Sequence, residues 1–126
     1  MENIKIAIVD DEVHIRALLE QTLEDLECEP EILTAVNGAA GLALVENERP
    51  QLVFLDVMMP LMNGYDVCTS IRNNPNLTAT TVVMLTAKGQ ESDRVRGLNT
   101  GAHYFVTKPF DPDEILDLAR RILQKS

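Results

Sequence analysis

The sequence predicts an α/β fold: five β-α repeats, (βα)5, folded as a three-layer sandwich around a central parallel five-stranded sheet. Three observations predict it. Five short runs rich in β-branched residues alternate with polar, helix-like segments. Three of those runs are nearly continuous in apolar residues rather than alternating, which suits strands covered on both faces. The longest intervening segments carry a single apolar stripe at helical spacing. Right-handed crossovers then put helices on both faces of the sheet. For five strands wound this way, the flavodoxin-like order 2-1-3-4-5 leads.

The first strand is expected over residues 3–9, NIKIAIV. A helix follows over 12–27, with Ile15, Leu18, Leu19, Leu23 and Leu26 as its apolar stripe and Glu20, Glu24 and Asp25 between them. Pro30 leads into the second strand, EILTAV at 31–36. GAAGLALVENE is a helix that ends before Pro50, and QLVFL at 51–55 is the third strand. GYDVCTSIRNN is a helix stopped by Pro75. The fourth strand is TTVVMLT at 80–86, its first Thr belonging to the turn. Between it and the fifth strand, YFVT at 104–107, the segment ESDRVRGLNTG can bury only Val95 and Leu98 and has Gly97 inside it. It should form a short helix with little packing energy that is easily displaced. The last helix, 113–124, turns Ile115, Leu118, Ala119 and Ile122 to one side.

The 126 residues have room for one core, and the whole chain, 1–126, reads as a single domain without repeats, low-complexity segments or linkers. Its 45% apolar and 25% charged residues are ordinary for a globular protein. No apolar run approaches the roughly 20 residues of a membrane helix. MENIKIAIVDD has neither a basic region nor a cleavage site, so a cytoplasmic protein is expected. Cys28 and Cys68 have no metal-type spacing and read as reduced, partly buried thiols. A formal net charge of −9 repels nucleic acid and anionic membrane at long range, which argues against direct nucleic-acid binding by this chain.

One stretch breaks the apolar pattern. In QLVFLDVMMPLMNG, Asp56 stands between two apolar runs, where a charged, buried and unpaired carboxylate would cost several kcal/mol. In open α/β sheets ligands bind at the carboxyl ends of the strands. There, strand one ends in Asp10-Asp11-Glu12, strand three in Asp56, strand four in Thr86-Ala87 and strand five in Lys108-Pro109. Asp56, just past the run at 51–55, is expected at the rim and not buried. Carboxylates held this close repel and raise one another's pKa. A hard divalent cation with oxygen ligands removes that repulsion and leaves a position for a phosphate oxygen. Lys108 and Thr86 supply donors for the other phosphate oxygens, and small Ala87 leaves room for the incoming group. The set fits phosphoryl transfer to a carboxylate nucleophile. Taken singly, Asp10, Asp11 or Glu12 could be a helix cap, Lys108 a solvated turn residue and Thr86 a strand-end hydroxyl.

The acidic pair Asp10-Asp11, LDVMMPLMNG, LTA at 85–87 and GAHYFVTKPF at 101–110 come in the order and spacing in which the chain resembles the receiver domain of two-component response regulators. The resemblance covers essentially the whole chain. It implies that Asp56 is the phosphoacceptor for a phosphohistidine of a sensor histidine kinase or histidine phosphotransfer protein. It implies Mg2+ (or Mn2+) held directly by Asp11, Asp56 and the backbone carbonyl of Met58, with Asp10 acting through water. Lys108 would pair with Asp56 and then with the phosphoryl group, Thr86 would move to hydrogen-bond it, and Phe105 would be the aromatic that rotates inward. Pro109 would follow a cis peptide bond, which an X-Pro bond permits. Tyr104, next to Phe105, should point to the other face of the sheet.

Some positions depart from the family's pattern. Relatives that dimerise through the fourth-helix, fifth-strand and fifth-helix face carry two acids where this chain has His103 and Tyr104, although Arg94, Arg96, Glu114 and Arg121 keep some of that face's charge. A monomer, or a weak phosphorylation-dependent dimer, is expected. Met58 and Lys88 occupy the positions that tune hydrolysis of the phosphoryl group, and neither is a water-positioning acid or amide, so no special acceleration is expected. His14 should be a surface residue. A phosphohydrolase of the haloacid dehalogenase type would need a second acid where Met58 stands, and a flavodoxin's phosphate loop would be repelled by Asp10-Asp11-Glu12. The chain is expected to catalyse only its own phosphorylation and dephosphorylation. Its downstream effector is not named by the sequence; it is reached by binding, or through a DNA-binding or enzymatic domain if the receiver is cut from a larger regulator.

Overall fold

The computed structural model describes residues 3–87 and 99–124. Strands β1 (Lys5–Val9), β2 (Glu31–Ala35), β3 (Leu52–Asp56), β4 (Thr81–Ala87) and β5 (Tyr104–Lys108) form one sheet in the order β2-β1-β3-β4-β5. Every pairing is parallel. Helices α1 (Val13–Leu23), α2 (Gly38–Glu48), α3 (Gly64–Asn73) and a C-terminal helix (Pro112–Gln124) cover it, with a short 3-10 turn at Pro75–Leu77. The expected helix at 91–101, with Val95, Gly97, Leu98, Arg94 and Arg96, falls largely outside the described residues, as does Lys88. No helix among the described residues is long and apolar enough to cross a membrane.

The continuous apolar strands are explained by the two cores they feed. Ala7, Val9, Val53, Leu55, Val82 and Met84 face α2 and α3 and pack with Val45, Val67 and Ile71. The alternate residues Ile6, Ile8, Leu52, Phe54, Val83 and Leu85 face α1 and the C-terminal helix and pack with Leu19, Leu23, Ile115 and Leu118. Tyr104 packs on this second side and Phe105 on the first, the alternation expected of neighbours in a strand.

Helix α1 differs from the expected pattern. It ends at Leu23 rather than reaching Glu27, although Leu26 stays buried in the turns beyond. Leu18 is exposed and Thr22 is buried in its place. At 100° per residue Thr22 lies nearer the centre of the stripe set by Ile15, Leu19 and Leu26 than Leu18 does, so geometry outranks hydrophobicity there. Cys28 is exposed, not partly buried, because it sits in the turn after α1; Cys68 on α3 is buried as expected. His14 is exposed.

Candidate functional site

The parallel register brings four strand ends to one rim. Asp56 is opposite Leu85, Thr86 opposite Thr107 and Ala87 opposite Lys108. Asp10 follows β1, and its backbone N–H donates to the Ala35 carbonyl at 3.2 Å. Its side chain is fully buried. Asp10 Oδ1 accepts from the Glu12 N–H at 2.8 Å, which fixes the turn into α1, and Arg16 donates to the Asp10 carbonyl at 2.9 Å.

Asp56 requires a correction. It was expected just beyond a strand ending at Leu55, at the rim and not buried. Instead β3 continues through Asp56, which is only 3% exposed. The chain after it folds back over the strand: the Gly64 N–H donates to the Val57 carbonyl at 3.0 Å. A Cβ on Gly64 would come within 2.3 Å of the Asp56 carbonyl oxygen, so only glycine lets α3 start this close to the strand end.

Three carboxylates meet one ammonium. Lys108 Nζ lies 2.9 Å from Asp10 Oδ2, 3.2 Å from Glu12 Oε1 and 3.3 Å from Asp56 Oδ1. Asp56 Oδ1 also accepts from the Met58 N–H at 3.2 Å, while its Oδ2 is buried with no hydrogen-bond partner. Burial first, and the Asp10 charge next, push the Asp56 carboxyl up to about 7, against the pull of Lys108 and the Met58 N–H. Burial alone would lower the pKa of the Lys108 ammonium, but Asp10, Asp56 and Glu12 together raise it above its ordinary value.

Thr86 is buried at the end of β4, and Ala87 beside it is exposed. Phe105 is partly buried against the core on the α2–α3 side. The Lys108–Pro109 peptide is cis. Asp11 is exposed, and the Met58 side chain turns outward with 69% of its surface accessible.

The donor set fits a hard divalent cation. One oxygen from each of Asp10, Asp11, Glu12 and Asp56 lies within 4.8 Å of the others. The unsatisfied Asp56 Oδ2 is a second, separate sign, because a buried carboxylate oxygen without a donor needs a positive partner.

Sequence reasoning did not foresee that Glu12 touches Lys108. A signal existed: Glu12 stands at the N-cap of α1, where Ser, Thr, Asp or Asn is preferred, and its side chain makes no capping hydrogen bond. Arg16, one turn on, was likewise not foreseen as a support of the Asp10 turn.

Comparison with known proteins agrees with this geometry. The family model "Response regulator receiver domain" matches residues 6–120. The probable transcriptional regulator ycf27 of Cyanophora paradoxa is 41% identical over 97% of this chain, and the chain spans 49% of that protein. Protein PilG of Pseudomonas aeruginosa is 34% identical over 91% of the chain and 84% of PilG. The crystal structure of the chemotaxis response regulator CheY4 of Vibrio cholerae superposes with a TM-score of 0.86 at 30% identity, covering 96% of this chain and 99% of CheY4. With its parallel sheet in the order 2-1-3-4-5 and its acidic rim, the chain belongs to the receiver-domain family of two-component response regulators.

Proposed function

We propose that this receiver accepts a phosphoryl group on Asp56 from the phosphohistidine of a sensor histidine kinase or histidine phosphotransfer protein. An Asp56 carboxylate oxygen attacks phosphorus, the P–N bond breaks with its electron pair returning to the imidazole, and an acyl phosphate forms. The observation that carries this reading is the state of Asp56: buried at the end of the central strand, held at Oδ1 by Lys108 and the Met58 N–H, with Oδ2 unbonded. Asp11, Asp56 and the Met58 carbonyl would hold Mg2+ (or Mn2+), with Asp10 acting through water. The cation supplies charge neutralisation at the carboxylates and the phosphoryl oxygens.

Lys108 keeps Asp56 oriented beforehand and meets the charge of the phosphoryl group afterwards. Thr86 donates its hydroxyl to a phosphoryl oxygen, and exposed Ala87 leaves the approach open. The added charge, about two units, draws Thr86 in. Phe105 then rotates toward the core, and the face built by the fifth strand, the C-terminal helix and the helix expected before the fifth strand presents itself to an effector protein. The chain thus acts as a signalling domain that catalyses only its own phosphorylation and dephosphorylation in the cytoplasm.

A small phosphodonor with Mg2+, followed by intact-protein mass spectrometry, tests this. One phosphoryl group should be added, and the adduct should vanish in Asp56→Asn or when Mg2+ is chelated beforehand. An adduct that persists in Asp56→Asn would overturn the assignment.

A second reading concerns output only. The ycf27 relatives bear the name transcriptional regulator and are about twice as long as this chain. On that reading the receiver governs a DNA-binding domain in a longer regulator, and a DNA-bound fraction that rises on phosphorylation of the longer protein would favour it.

A further inference from the structure

We infer that Glu12 is a positioning residue: in the unphosphorylated protein its carboxylate holds the Lys108 N–H that a phosphoryl oxygen must take. The inference rests on reading Asp56 as the phosphoacceptor and says what regulates that same site.

An ammonium has three N–H donors and no more. Three different carboxylates crowd Lys108 Nζ at 2.9, 3.2 and 3.3 Å. Its side-chain hydrogen bond goes to Glu12 Oε1, whereas Asp10 Oδ2 at 2.9 Å is aligned too poorly to accept one. A phosphoryl oxygen that enters this crowded ammonium competes with the carboxylate that already holds an N–H. The three are not equivalent. The side chains of Asp10 and Asp56 are buried, and either one would be left as an uncompensated interior charge. The Glu12 side chain is 58% exposed, and on release its carboxylate returns to water at little cost. Glu12 is therefore the partner that yields.

Two local features support this role. The Glu12 backbone is pinned by its hydrogen bond to Asp10 Oδ1, so its carboxylate stays within reach of Lys108. Its side chain also leaves the helix terminus uncapped. Glu12 thus acts as a competitor that weakens the site's hold on a phosphoryl oxygen.

Beryllofluoride, a phosphoryl mimic, gives the test with full-length chain and saturating Mg2+. Glu12→Ala should bind it about two- to fivefold tighter than the original, the range an exposed ion pair allows. Glu20→Ala removes an equal charge two turns along α1, where screening is strong, and should change binding less than about 1.5-fold. Glu12→Asp keeps the charge but shortens the reach, so it should resemble Glu12→Ala. In NMR spectra recorded before beryllofluoride is added, the Lys108 Nζ resonance should move in Glu12→Ala and not in Glu20→Ala.

Unchanged or weaker binding by Glu12→Ala overturns the inference, and so does Glu12→Asp behaving like the original. Failure of the underlying reading looks different. The original chain would then neither bind beryllofluoride nor gain phosphoryl mass, and the role of Glu12 would fall with that of Asp56.

Discussion

Asp10 and Asp56 carry like charges where the protein can least solvate them, with Lys108 between them. Burial first, and the Asp10 charge that one ammonium does not offset next, push the Asp56 carboxyl up to about 7. The consequence for stability has a definite sign. A carboxyl whose folded pKa is raised contributes stability that is complete below the ordinary aspartate range and is lost as pH rises through about 7. At pH 8 with divalent cations chelated, the charged Asp56 therefore works against the fold. Asp56→Asn keeps the shape and removes the charge, and we expect it to be more stable than the original chain by on the order of 1–2 kcal/mol in urea unfolding. The advantage should shrink as pH falls to 5. A variant less stable at pH 8, or one whose advantage ignores pH, would show that Lys108 already compensates both acids.

At the level of elements, the strands were legible because each feeds two cores. Three of the five runs are nearly unbroken in apolar residues, as strands of a parallel sheet covered on both faces require. The end of β3 was less legible. The run VMMP after Asp56 reads as uniformly apolar, yet Val57 and Met59 are buried while Met58 stands exposed. Which of them turns inward depends on how closely α3 docks, and that is decided by Gly64. Its missing side chain admits the Asp56 carbonyl where a Cβ would come within 2.3 Å of it. The obstructing atoms are backbone and cannot swing aside, so Gly64→Ala must shift either the helix or the strand end. We expect a loss of about 1–3 kcal/mol, the usual range for overpacking, read as a lower urea midpoint. Because the shift falls on Asp56, the proposed phosphoacceptor, phosphorylation by a small donor should slow as well. The partner of Glu12 was illegible for a related reason: the unusual residue at the α1 N-cap marks Glu12 itself, but its contact with Lys108 spans the distance from the first strand to the last, and no local pattern encodes that partner.

The whole molecule joins these scales through its charge. With a formal net charge of −9, the chain concentrates four acids on one rim that also gathers the ends of strands far apart in sequence. Asp11 and Asp56 become neighbours only when β1 and β3 lie side by side, so the unfolded chain has no comparable cation site. Binding to the folded state alone is stabilisation by mass action, about 2.7 kcal/mol at a hundredfold excess over Kd. For a domain of this size that is a rise in Tm on the order of 10 °C. Screening of the net charge by salt would also raise Tm, so the comparison is made at constant ionic strength, with NaCl exchanged for MgCl2. The original chain should gain the full shift in MgCl2. Asp11→Asn and Asp56→Asn should each lose most of it, because each removes the charge of a carboxylate proposed to ligate the cation directly, while Glu20→Gln on the outer surface of α1 should keep it. Equal shifts in NaCl and MgCl2 would reduce the effect to screening. A full shift retained by Asp11→Asn would move the cation away from the oxygens of Asp11 and onto those of Asp10 and Glu12.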